Sequence, residues 1–137
     1  MKAQELRIGN WIRLKSKNKF YQIDSGHDIE KIYDAPENFD AVPIPLTEEW
    51  LIKFGFEKLS NIDFNEFTKK VYGKSIIKGN ELHEEKVMII LPFNVCEIGV
   101  YNPNKDESSY LMDRNIECVH ELQNLYFALT GEELLIK

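Results

Sequence analysis

The stretch CVHELQNLYFALTG, residues 118–131, constrains the fold more than any other part of the chain. At about 100° per residue, its apolar side chains fall within an arc of about 120°, the usual width of a stripe that faces a protein core. These side chains are Cys118, Val119, Leu122, Leu125, Tyr126 and Leu129. Gly131 suits the left-handed position that follows a helix. The stretch therefore predicts a C-terminal helix with one side packed against another layer of structure.

Four residues remain on the far side of this helix: His120, Gln123, Asn124 and Phe127. Two interpretations stay open. A second layer, formed by a helix around Trp50 or by an N-terminal hairpin, covers this side. Alternatively, Phe127 is an exposed aromatic ringed by polar groups, a layout common at interface hot spots. On the second interpretation, the four residues are candidates for binding a protein partner.

The His-Glu pair at the start of this helix does not form a zinc-peptidase motif. That motif needs a second histidine four positions later, where this chain has Asn124. The other histidines, His27 and His83, lie far away in polar contexts. Neither a nucleophile motif of the G-x-S-x-G type nor a glycine-rich nucleotide loop occurs. We therefore predict no metal, no cofactor, no catalytic residue and no enzymatic activity.

The segment PIPLTEEWLIKFGF, residues 43–56, predicts a short helix with both ends marked. Thr47 is a good N-cap, and the two following glutamates suit the positive end of a helix dipole. Gly55 can take the left-handed position after the helix, which brings Phe56 back towards Leu51. Because so short a helix is unstable alone, its apolar side chains must pack against a sheet.

The middle of the chain predicts strands. FTKKVYG and KSIIKG are expected to pair across a turn at Gly73-Lys74, and the continuous apolar run KVMIIL indicates a central strand. VCEIGVYN alternates like a half-buried strand after a turn at residues 92–94, and YLMDRNI is expected at a sheet edge. The order strands, helix, strands, helix predicts an α+β fold with a mainly antiparallel sheet.

At the N-terminus, NWIRLK and KFYQID predict a β-hairpin that resembles the opening of a small SH3-like barrel. The first 20 residues carry six basic side chains and one acidic one, whereas the remaining 117 carry 11 basic and 22 acidic ones. The hairpin's bases are candidates for contacting a nucleic acid or an acidic partner: Arg13, Lys15, Lys17 and Lys19. The alternative is that they are solvated charges, with one of Phe20 and Tyr21 in the core.

Length and composition indicate one domain over residues 1–137, with a hairpin region at 1–42 followed by the helices and strands of 43–137. The stretch HDIEKIYDAPENFDAVPIP, residues 27–45, is acidic and contains three prolines, and it predicts a short strand or turn and then a connector. No apolar run reaches the about 18 residues of a membrane helix. Two cysteines are too few for a disulfide scaffold. We therefore expect reduced thiols and a cytoplasmic protein.

Three blocks of the chain resemble an uncharacterised family of small proteins from bacterial prophages and other mobile elements. They are ELRIGN, then PIPLTEEWLIKFGF, then VHELQNLYFALTGEEL, and together they cover about a quarter of the chain. The resemblance carries over no functional residue. It implies a context, a phage-derived protein in a bacterial cytoplasm, where small acidic proteins often bind and disable host machinery.

These observations favour a non-enzymatic binding protein that modulates a host protein or ribonucleoprotein, most concretely an anti-defence inhibitor of the anti-CRISPR type. Two alternatives stay open. One is a structural or assembly factor of the phage particle. The other is a small nucleic-acid-binding module that works through the basic hairpin.

Overall fold

A computed structural model describes residues 2–34, 40–64, 67–75, 86–91, 94–102 and 107–136, and it confirms the α+β class with antiparallel sheets. A 3₁₀ turn spans Ala3–Glu5. The elements that follow are β1 (Trp11–Leu14), β2 (Lys19–Gln22), α1 (Gly26–Asp34), β3 (Ala41–Val42), α2 (Glu48–Lys53), β4 (Glu57–Phe64), β5 (Phe67–Ser75), β6 (Lys86–Leu91), β7 (Val95–Asn102), β8 (Glu107–Asn115) and α3 (Val119–Thr130).

The strands form two separate sheets. The first has the order β2-β1-β3, and its hairpin pairs Arg13 with Phe20. It is an open three-stranded sheet rather than a closed barrel in the part of the chain that the structure describes. The second is a five-stranded antiparallel meander, β4-β5-β6-β7-β8. KVMIIL is its central strand, and β8, which contains most of YLMDRNI, lies at an edge as expected.

The main core lies between the meander and the two helices α2 and α3. Tyr72, Ile89 and Cys96 point from the sheet towards this core, where Leu51 and Leu122 meet them. A smaller core fills the inner side of the three-stranded sheet: Ala3, Leu6, Ile12, Ile23 and Ile32. The N-terminal region thus has a hydrophobic cluster of its own, separate from the main core.

The predicted ends of α2 are confirmed. The Thr47 hydroxyl accepts a hydrogen bond from the Trp50 amide at 3.4 Å, and Gly55 has φ +84°. The Phe56 amide donates to the Leu51 carbonyl at 2.9 Å, which closes a Schellman motif. α3 ends in a similar way, because Gly131 has φ +72° and its amide donates to Phe127.

Three expectations about the elements are wrong. Residues 26–34, expected as a strand, turn or connector, form α1, which is held to β2 by a hydrogen bond from Tyr21 Oη to Asp28 at 2.8 Å. Gly73 lies inside β5 rather than at a turn. Glycine suits this position, because a Cβ would lie 2.6 Å from the Leu59 side chain. Leu129, assigned to the core stripe, is 41 % exposed because that stripe ends at Tyr126.

Other expectations fall partly or wholly beyond the described residues. Of the expected strand KSIIKG, only the first two residues are described, and they are the last two of β5. Pro92, Phe93 and His83 also lie outside the described residues. Asn94, the last residue of the expected turn before β7, has φ +54°. Among the described helices, none combines the length and the apolar character that a membrane crossing requires.

Candidate functional site

The far side of α3 is covered at His120 and Gln123 but not at Phe127, so each of the two interpretations holds in part. His120 is 1 % exposed and Gln123 is fully buried. The layer above them is the N-terminal segment, residues 2–11, rather than α2. The expected candidates therefore do not form one open surface: only Phe127, at 38 % exposed, reaches solvent to a large extent.

Gln123 and Asn124 bind the N-terminal segment through hydrogen bonds that span more than 110 residues of chain. Gln123 accepts from the Trp11 amide at 2.8 Å and donates to the Gly9 carbonyl at 2.9 Å. Asn124 accepts from the Asn10 side chain at 2.9 Å and donates to the Glu5 carbonyl at 2.6 Å. The side-chain amides thus satisfy backbone groups that no sheet or helix pairs, as buried polar groups require.

Arg7 explains the position of Phe127. Its guanidinium carbon lies 4.0 Å from the centroid of the Phe127 ring, a cation–π contact. The same group donates to Asn124 at 3.0 Å and pairs with Glu133. The Phe127 ring therefore packs on an arginine that is already engaged with Asn124 and Glu133 of the same chain.

A cleft of about 610 Å³ lies beside this contact, lined in part by Glu5, Arg7 and His120. His120 Nε2 lies 3.4 Å from a Glu5 carboxylate oxygen. Partial burial by itself would raise the pKa of the Glu5 carboxyl. Hydrogen bonds from the Lys2 backbone and from His120 outweigh it and hold that pKa below its ordinary value. No group of three or more His, Cys, Asp or Glu residues that could hold a metal occurs among the described residues. His27 lies on α1, near Glu30.

The four basic hairpin residues lie on β1, on β2 and in the turn between them. Lys15, Lys17 and Lys19 are exposed around the turn between β1 and β2, and Arg13 is half-buried on β1. Because Arg13 and Phe20 are directly paired across the hairpin, their side chains share one face of the sheet. Tyr21 packs on the opposite face, against the smaller core.

Phe20 is the exposed member of a cluster of aromatic rings. It is 51 % exposed, and its centroid lies 5.2 Å from that of Trp50 in an edge-to-face arrangement. Trp50 in turn lies 5.9 Å from Trp11 and 5.6 Å from Phe54. Lys53 Nζ lies 4.9 Å from the Trp50 centroid and 5.8 Å from that of Phe20. The Phe20 ring is therefore accessible to solvent and is supported from below by the buried rings of Trp50 and Phe54, with the Lys53 ammonium nearby.

Between this ring and the start of α2 runs a groove of about 430 Å³, which we name the hairpin groove; its lining includes Arg13, Asn18, Phe20, Pro45, Thr47 and Trp50. The guanidinium of Arg13 makes one long hydrogen bond, to Asn18 at 3.5 Å. Its Nε is buried and has no hydrogen-bond partner within the described ranges. A buried N–H without a partner is costly. His120 Nδ1, on the far side of α3, also has no partner among the described residues, so this feature alone does not distinguish the groove.

The contribution of α2 to the hairpin groove was missing from the sequence-based prediction. Thr47 and Trp50 follow Arg13 by more than 30 residues, and both were explained locally as a helix cap and a core residue. The usable signal was the alternation of bases with Phe20 and Tyr21, which predicted one exposed ring and did not say which.

No protein-family model matches the chain, and neither a curated protein nor a solved structure matches it. The two candidate surfaces, the face under Arg7 and the hairpin groove, therefore have to be weighed by their own geometry. Each contains a buried nitrogen without a hydrogen-bond partner among the described residues, His120 Nδ1 in the first and Arg13 Nε in the second. They differ in their aromatic rings, because Phe127 is 38 % exposed and lies under Arg7, whereas Phe20 is 51 % exposed beside the bases of the hairpin.

Proposed function

We propose that this protein is a non-enzymatic binding protein of phage or mobile-element origin that modulates a host protein or ribonucleoprotein in the bacterial cytoplasm. An anti-defence inhibitor of the anti-CRISPR type is its most concrete form. The family resemblance supports the genetic context. The hairpin groove supports binding, because it joins an exposed phenylalanine to an arginine, two residue types enriched at protein interfaces.

The observation that carries the proposal is the mounting of Phe20. Half of this phenyl ring faces solvent, while the other half is fixed by the strand and by an edge-to-face contact with Trp50 at 5.2 Å. A ring that is already fixed loses little conformational entropy when a partner covers it, so it binds at lower cost than a mobile side chain. Nearby cations add electrostatic steering towards an acidic partner surface.

The proposal is tested by expressing the protein in bacteria that carry a CRISPR system and by measuring interference with an incoming plasmid. We expect plasmid recovery for the wild type and its loss for Phe20→Ala. The matched control is Tyr33→Ala, which removes an aromatic that is 64 % exposed on α1 and does not line the groove. A tagged protein should also retain a host complex in an affinity purification.

Unchanged interference across several system types, together with the absence of any Phe20-dependent partner in the purification, would refute the proposal. Detection of the protein in purified phage particles by mass spectrometry would instead support the assembly-factor alternative. Activity that Phe20→Ala and Tyr33→Ala reduce equally would place the binding surface elsewhere.

A further inference from the structure

We infer that the hairpin groove binds single-stranded nucleic acid, with one base stacked on Phe20 and the adjoining phosphates held by Arg13 and the hairpin lysines. The inference deepens the proposed function and rests on it, since it names the nucleic-acid component of a ribonucleoprotein as the part that is contacted.

The ring of Phe20 provides the stacking surface. Its side chain is 51 % exposed, and it meets Trp50 edge to face. Base stacking on an aromatic side chain works for every base, because each base has a π-face. In a duplex those faces are already stacked on each other, so the geometry selects a single strand.

The cations beside the ring match the charge of a phosphate backbone. Arg13 is paired directly across the strands from Phe20, so its guanidinium borders the site of the stacked base. Its Nη1 donates to Asn18 at 3.5 Å, a hydrogen bond long enough to be exchanged for a charge-assisted one to a phosphate oxygen. The exposed lysines of the hairpin turn extend this positive edge outward: Lys15, Lys17 and Lys19.

The acidic residues of the adjoining helix are neutralised. Glu49 lines the groove, but its carboxylate lies 3.3 Å from Lys53 Nζ. Glu48 lies 3.2 Å from Lys70 Nζ. The groove is therefore a positive site in a chain whose net charge is −6. This contrast confines a polyanion to the hairpin end, because the rest of the chain, with twice as many acids as bases, repels it.

Binding is measured with the full-length protein and fluorescein-labelled dodecamers of uridine and of thymidine by fluorescence polarisation at 50 mM salt. We expect both to bind, with a salt slope of about −2 if three phosphates are neutralised. Phe20→Ala should weaken the affinity about 5- to 150-fold, whereas Phe20→Trp should retain it. Because Trp50 adjoins the ring, unlabelled strands should also change the intrinsic tryptophan fluorescence.

A charge-matched control separates the hairpin from net charge. Replacing Lys15, Lys17 and Lys19 together by Gln should reduce both the affinity and the salt slope. The same triple replacement at three other exposed lysines changes the net charge equally and should do neither: Lys2, Lys31 and Lys58. Melting temperatures of all variants show that they are folded.

Polyglutamate tests the other class of partner. If it competes as well as the oligonucleotides and Phe20→Ala binds normally, the groove is a site for an acidic protein, and the inference is overturned. Absence of oligonucleotide binding at 50 mM salt overturns it too. A protein that blocks interference but binds no strand would leave the proposed function standing, whereas strand binding without any effect on interference would do the reverse.

Discussion

Replacing Gln123 by Met tests whether the side-chain amides of α3 hold the N-terminal segment in place. Met has nearly the shape of Gln but cannot bond the Trp11 amide at 2.8 Å or the Gly9 carbonyl at 2.9 Å. Leaving a buried donor unpaired costs about 1–3 kcal/mol, and the second lost hydrogen bond costs about 0.5–1.5 kcal/mol. The Gly9 carbonyl keeps a donor, Gln22 Nε2 at 3.1 Å. The two costs together amount to about 1.5–4.5 kcal/mol. The greater hydrophobicity of Met offsets part of this, so we expect a net loss of about 1–3 kcal/mol.

The free energy of unfolding is measured by urea denaturation, with the denaturant slope unchanged between variants. Gln22→Met is the matched control, because it removes a bond to the same Gly9 carbonyl from an exposed side chain. Its effect should stay within about 0.5 kcal/mol. Equal effects of the two substitutions, or a stable Gln123→Met protein with an unprotected Trp11 amide in hydrogen exchange, would refute the reasoning.

Further predictions concern the helix ends, a cysteine and one carboxylate. Gly131→Ala, at φ +72°, should cost about 1–2 kcal/mol in urea denaturation, and Thr47→Ala about 1 kcal/mol. Burial and, to a smaller extent, the Glu121 carboxylate raise the pKa of the Cys118 thiol to about 12. Iodoacetamide should therefore label this thiol slowly at pH 8 until the protein is unfolded. Burial by itself would raise the pKa of Asp28, but the hydrogen bond from Tyr21 outweighs it and lowers that pKa. Stability from Asp28 is therefore present above its unfolded pKa of about 3.9 and lost as the pH falls through the lowered value; Asp28→Asn should remove that dependence in acid denaturation.

Much of the local structure could be predicted because its causes lie within a few residues. The cap at Thr47, the left-handed Gly55 and the stop at Gly131 depend only on neighbouring backbone groups. The same holds for KVMIIL, whose continuous apolar character indicated burial on both faces. The missed helix α1 is different, since an acidic segment with few apolar positions becomes a helix where Ile32 and Asp28 meet the smaller core and Tyr21.

The candidate site divides in the same way. Reading the helix wheel of α3 left four residues unexplained, and it offered both a covered and an open alternative. Three of them turned out to be bound by the N-terminal segment, in contacts between residues more than 110 positions apart. Helical periodicity states which residues share a side, but it does not state what lies against that side.

The sequence by itself determined the α+β class, the ends of α2 and α3, and the concentration of positive charge in the first hairpin. The tertiary structure alone decided that Gln123 and Asn124 serve the N-terminal segment, and that Phe20 rather than Tyr21 faces solvent beside Trp50. The physical reason is range. Backbone propensity and capping act over one turn or one strand, whereas burial and hydrogen-bond partners are assigned only when distant segments pack together.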